Sequence, residues 1–125
     1  MNKKRPVNLD LRTIKQPLPA ITSILHRVSG VVLFVGAIFM MYALSLSLES
    51  QAGFDQAAAM LTDSFIAKFI AWGLTSALLY HFFAGLKHLV MDAGYWEEIE
   101  SGKAAAKATL AIAVVAILLA GVWIW

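Results

Sequence analysis

Three stretches of this chain offer the backbone no hydrogen-bond partner except itself. Residues 28–48 run for 21 positions without a charge, residues 69–86 are interrupted only by His81, and residues 108–125 carry no ionisable side chain. A helix of 18 residues covers ~27 Å, close to the ~30 Å hydrocarbon core of a bilayer. In lipid every N–H and C=O must be paired internally, and none of the three stretches alternates as a strand would. The pattern predicts an all-α integral membrane protein with three transmembrane helices.

Composition agrees. Sixty per cent of the 125 residues are hydrophobic and 14% charged, against about 25% charged in a typical globular domain, and the mean hydropathy is +0.73. A disordered chain, a nucleic-acid reader and a compact cytosolic enzyme are disfavoured together. The net charge of +2 calls for no anionic partner. The chain has no cysteine, which excludes disulfides, thiolate zinc sites, covalently attached haem and iron–sulfur clusters held by this chain. Redox chemistry here needs a cofactor held by histidine, or a diffusing one. The basic start, Lys3, Lys4 and Arg5, leads into Pro6-Val7-Asn8-Leu9-Asp10 and not into an apolar run, so no secretory leader is expected.

Two prolines mark where the first helix begins. Pro19 suits a first helical turn, because its missing N–H is one that a helix leaves unpaired anyway. Residues 1–18 are read as a polar amino-terminal arm lying on the membrane surface or on a partner, and 19–125 as a three-helix anchor. The helices are expected at about 20–49, 64–93 and 104–125. Lys and Arg flanking the spans set the orientation. The arm carries Lys3, Lys4, Arg5, Arg12 and Lys15, and the second loop Lys87, Lys103 and Lys107. The first loop carries only Lys68, beside Glu49, Asp55 and Asp63. The amino terminus and second loop are therefore expected in the cytoplasm of a bacterial host. The carboxyl terminus is expected in the periplasm, with Trp123 and Trp125 as interfacial anchors.

Polar residues that break the apolar pattern are the informative ones, since a charge at mid-membrane costs about 2.5–3.5 kcal/mol on insertion scales. Ser23, His26, Arg27 and Gly30 fall at offsets 0, 3, 4 and 7, one helical face. Such a face can bind carbonyl or carboxylate oxygens; equally, Arg27 can snorkel to phosphates with His26 at the interface. His81, Ala84, Gly85, His88 and Asp92 form a second stripe at 0, 3, 4, 7 and 11. His81 lies ~16 Å along the helix from Asp92, and His88 only ~6 Å from it. The deep imidazole suits haem iron, with Ala84 and Gly85 leaving room for a planar macrocycle; the plain alternative is a neutral histidine bonded to a neighbouring helix. By depth, His26, Arg27 and His88 share an upper layer with His81 beneath. A haem across the membrane with its propionates pointing up would use all four, and its second ligand would have to come from another subunit.

These residues carry a resemblance. The sequence Arg5-Pro6-Val7-Asn8-Leu9-Asp10-Leu11, then Ser23-x-x-His26-Arg27-x-Ser29-Gly30, then His81-x-x-x-Gly85-x-Lys87-His88-x-x-Met91-Asp92-x-Gly94 resembles the cytochrome b membrane-anchor subunits of succinate dehydrogenase, respiratory Complex II. The resemblance implies an anchor within a heteromeric helix bundle, not active alone and with no catalytic residue of its own. Electrons would arrive from a flavoprotein through an iron–sulfur subunit. A second hydrophobic anchor subunit would help hold a b-type haem and build the ubiquinone site. By the same resemblance His81 is the axial haem ligand, Ser23 and Arg27 line the ubiquinone pocket, and His26, Arg27 and His88 lie near the haem propionates. The family usually has Arg where Lys87 stands, and Lys lacks the planar fork of a bidentate contact. The expected surroundings are lipid and these subunits, with no nucleic acid. The competing expectation is a structural anchor of a fumarate reductase-like complex without haem. A transporter subunit would need a carboxylate within the spans, and none is there.

Overall fold

The structure, a computed structural model, describes residues 5–125; Lys3 and Lys4, which entered the charge count above, lie outside the described residues. Four helices follow in order: α1 (Leu18–Glu49), α2 (Gln51–Asp63), α3 (Phe65–Asp92) and α4 (Ile99–Ile124). Of these, α1, α3 and α4 are long and apolar enough to cross a membrane. The protein is a multi-pass all-α membrane protein.

The breaks between helices are set by local chemistry. Pro17 is extended, and Pro19 sits in the first turn of α1. Before it, the arm folds around Asp10: the Asn8 side chain accepts from the Asp10 N–H, and the Asp10 carboxylate accepts from the Arg12 N–H at 2.9 Å. Ser50 is also extended, ending α1 and capping α2, where its hydroxyl accepts from the Gly53 N–H at 3.0 Å. Ser64 repeats the device, accepting from the Ala67 N–H at the start of α3. Both follow the ordinary rule that a serine oxygen satisfies one of the four orphan donors of a helix start. At its far end α3 closes on Gly94 with φ 88°, where the Gly94 N–H bonds Met91 and the Tyr95 N–H bonds Val90. That double bond pattern needs a left-handed residue, which glycine adopts without strain.

Two differences from the sequence expectation follow. The first loop is not a simple loop but the 13-residue helix α2, made possible by the two serine caps and the alanine-rich run between them. The last helix starts at Ile99 and not near 104, so Lys103 and Lys107 lie within its first turns and not in a loop. Lys103 there pairs with Glu100 at 3.3 Å. Such an exposed i, i+3 pair adds little stability, and the early start instead packs Gly102 near the Trp96 carbonyl and the Pro19 ring.

Helix α3 is central, touching α1, α2 and α4. The contacts are made by small residues: Ala84 on α3 and Ala106 and Ala113 on α4 are essentially fully buried. Phe34, Phe39 and Tyr42 on α1 instead face outward. This is the inverse of a soluble core and suits a lipid solvent, where close backbone approach, not burial of large side chains, drives helix association. At the end of α4, the Trp72 indole N–H donates to the Ile117 carbonyl at 3.0 Å, and Gly121 leaves the space that the ring fills. Phe65 and Trp125 pack at 4.9 Å beside Lys68, whose ammonium lies 5.6 Å from the Trp125 ring.

A Cβ at Gly121 would stand 3.1 Å from the Trp72 nitrogen, whereas one at Gly73 would meet nothing within 4 Å. Gly121→Val is expected to destabilise the α3–α4 contact by about 1–3 kcal/mol, the usual cost of overpacking. Thermal melting of the detergent-purified protein should show a lower midpoint for Gly121→Val and no loss for Gly73→Ala.

Candidate functional site

The polar residues converge where α1 crosses α3. His26 of α1 stacks flat on His81 of α3, ring centroids 4.0 Å apart and planes 14° from parallel. On its other side His26 lies 5.2 Å from the His88 ring. The three imidazoles thus form one column in the order His81, His26, His88. The sequence placed His26 level with His88 and above His81; in the structure it is wedged between them. Two glycines allow this approach. A Cβ on Gly30 would stand 3.1 Å from His81 Cε1, and one on Gly85 would stand 3.4 Å from His26 Nε2.

The protonation of His81 follows from its partners. Its Nδ1 lies 3.0 Å from the His26 carbonyl oxygen and 3.0 Å from Ser29 Oγ. The carbonyl can only accept, and the Ser29 hydroxyl already donates to that carbonyl at 2.7 Å. Nδ1 therefore carries the proton and donates to both oxygens. Nε2 keeps its lone pair, has no hydrogen-bond partner among the described residues, and is not among sealed, unsatisfied atoms. A neutral imidazole oriented through Nδ1 with Nε2 free is the form that ligates metals. One such nitrogen suits haem iron, whose equatorial positions the porphyrin fills.

Ala84 is wholly buried, and a Cβ on Gly85 would stand 3.4 Å from His26 Nε2, so Gly85 admits the His26 ring of α1.

Above the column, Ser23 Oγ donates to the Pro19 carbonyl at 3.0 Å and lies 3.4 Å from His88 Nε2. Arg27, one step around α1, is exposed and makes no hydrogen bond or ion pair with the described residues. The structure thus brings Ser23, His26, His81 and His88 together and leaves Arg27 at their edge, its five donors available.

Lys87 does not join them. It is 3% exposed, and its ammonium donates to Thr22 Oγ1 at 2.9 Å. Thr22, fully buried, donates in turn to the Pro19 carbonyl, and Tyr80 donates to the Thr22 carbonyl at 2.7 Å. Thr22, Tyr80 and the hydroxyl of Ser29 make contacts at this crossing that the sequence reading did not assign. Their signal was present as spacing: Thr22, His26 and Ser29 fall at 0, 4 and 7, as do Tyr80, Ala84 and Lys87. Reading the polar stripe one position to the side would have found them.

Comparison with known proteins supplies a lineage. The family model for the succinate dehydrogenase/fumarate reductase transmembrane subunit matches residues 1–120. A succinate dehydrogenase cytochrome b556 subunit from Coxiella burnetii is 44% identical over 125 residues, covering all of both chains. A cytochrome b556 subunit from Paracoccus denitrificans is 37% identical over 89% of this chain and 85% of its own length. The cytochrome b560 subunit from Reclinomonas americana is also 37% identical, over 81% of this chain and 73% of that protein. With three helices long and apolar enough to cross a membrane and a match over nearly its whole length, the chain belongs to the family of succinate dehydrogenase/fumarate reductase transmembrane subunits.

Proposed function

We propose that this chain is the haem- and ubiquinone-binding membrane anchor of a bacterial succinate:ubiquinone oxidoreductase. The observation that carries the reading is the His81 imidazole, with Nδ1–H held by α1 and Nε2 free. Haem b, when bound, would supply a one-electron redox centre within the membrane. His81 would hold the iron on one side, and a second anchor subunit would supply the opposite ligand. His26, Arg27 and His88 are the donors nearest to where propionates would stand, and charge-assisted bonds from Arg or protonated His to carboxylates are the strong kind. Lys87, turned to Thr22, is left out of that set, so the missing fork at this position costs no propionate contact.

Ser23 and Arg27 would bind the ubiquinone head. The Ser23 hydroxyl must turn from the Pro19 carbonyl to a quinone oxygen, and Thr22 already donates to the same carbonyl at 2.9 Å. The turn therefore strands no backbone acceptor. With its proton on Nε2, His88 behind Ser23 Oγ at 3.4 Å would polarise the hydroxyl as a donor. Donors aimed at the quinone oxygens stabilise the negative charge that grows there during reduction. Succinate oxidation in the flavoprotein releases two electrons and two protons, and the quinone takes up two of each, its protons entering from the cytoplasmic side through water. The arm and second loop would face the cytoplasm and the carboxyl terminus the periplasm, following the Lys and Arg asymmetry. The enzyme is the assembled complex, and this chain alone has no turnover.

In a reduced-minus-oxidised spectrum of the purified complex, b-type bands are expected in the parent and lost or strongly altered in His81→Ala. An unchanged spectrum removes His81 as the ligand, and absence of bands in the parent favours a structural anchor without haem.

Ser23→Ala and Arg27→Leu are each expected to lower succinate–ubiquinone turnover roughly tenfold or more, the cost of one lost hydrogen bond to a charged acceptor. Succinate oxidation by an artificial dye should stay near the parent rate. Equal losses in both assays would count against the quinone role.

A further inference from the structure

Ser29 is buried, with 8% of its surface exposed, and its hydroxyl makes two contacts with different meanings. The bond to the His26 carbonyl, three residues back in its own helix, is an ordinary habit of serine in helices. The 3.0 Å contact with His81 Nδ1, across to α3, is not explained by that habit. Gly30 makes it possible by leaving the ring edge room against the α1 backbone. We propose that Ser29 is a positioning residue for the axial haem ligand, sharing the His81 Nδ1–H with the His26 carbonyl and thereby setting the ring's rotation and donor strength. The proposal rests on the haem reading above and extends it to a residue that reading does not use.

The chemistry is that of a second acceptor on one N–H. The carbonyl oxygen of His26 already takes the Gly30 N–H within α1 and the Ser29 hydroxyl, so it is a crowded acceptor for the His81 N–H, and Ser29 Oγ offers the less contested lone pair. With two oxygens drawing on Nδ1–H, the ring gains imidazolate character and Nε2 becomes a stronger base towards iron. A stronger donor favours the ferric over the ferrous state and lowers the reduction potential. Two acceptors from successive turns of α1 also oppose ring rotation more effectively than one. Ser29 touches neither quinone nor iron; its influence passes through His81.

The test uses the whole purified complex, with Ser29→Ala and Ser29→Thr beside the parent and His81→Ala as control. Redox titration of the b-type band should show a more positive midpoint potential in Ser29→Ala at unchanged haem-to-flavin ratio. The highest-g feature of the ferric haem in electron paramagnetic resonance should move as ring rotation relaxes. Ser29→Thr, which keeps the hydroxyl, should restore the parent values. Haem loss in Ser29→Ala with retention in Ser29→Thr also supports the proposal, because the hydroxyl then decides ligand placement. An unchanged potential and resonance in Ser29→Ala overturns it and reduces Ser29 to a helix back-bond. Haem loss in both variants overturns it as well, since packing and not the hydroxyl would be responsible. Retention of b-type bands in His81→Ala is a separate outcome that sinks the haem reading itself.

Discussion

The N–H of one imidazole ties this membrane domain together. A polar group within the bilayer without a partner costs several kcal/mol, so His81 must find an acceptor on another helix. It finds two on α1, the His26 carbonyl and the Ser29 hydroxyl. The contact sets the register of α1 against α3, since a shift of either helix by one residue would carry both acceptors away from the ring. It also sets the tautomer. The same contact that satisfies the fold leaves Nε2 without a hydrogen-bond partner among the described residues.

Close approach makes that arrangement attainable. Gly30 and Gly85 face the two stacked rings from opposite helices, and larger side chains at these positions would push the helices apart. Behind them Thr22 is a hub: its hydroxyl takes the Lys87 ammonium and donates to Pro19, and its carbonyl takes Tyr80. Around Thr22 and His81 the polar side chains bond across α1 and α3, while large apolar ones, such as Phe34 and Val122, remain on the outside. Exposed large apolar side chains, and not a core of its own, make up most of the apolar surface of the domain.

Much of the site was readable as residue spacing. The hydropathy pattern gave the spans because the bilayer imposes length and internal pairing, and the stripes Ser23-His26-Gly30 and His81-Gly85-His88 fell on the facing sides of α1 and α3. The helix α2 was hidden because a short surface helix has no such length constraint; its signal lay in Ser50 and Ser64 as caps. The stacking of His26 on His81 was also out of reach. Depth along each helix can be counted from its own sequence, but the relative slide of two helices cannot.

By itself the sequence determined the solvent, the number of crossings, the absence of thiol-based cofactor sites and the residue types able to meet iron, carboxylate and quinone. Those follow from composition and periodicity, which local physics reads without knowing any contact between helices. Only the tertiary structure decided that His81 Nδ1 meets the His26 carbonyl and the Ser29 hydroxyl, and that the Lys87 ammonium meets Thr22. Each of these depends on how far one helix slides and turns against another. That is settled jointly by the glycines that permit contact and the hydrogen bonds that lipid will not replace.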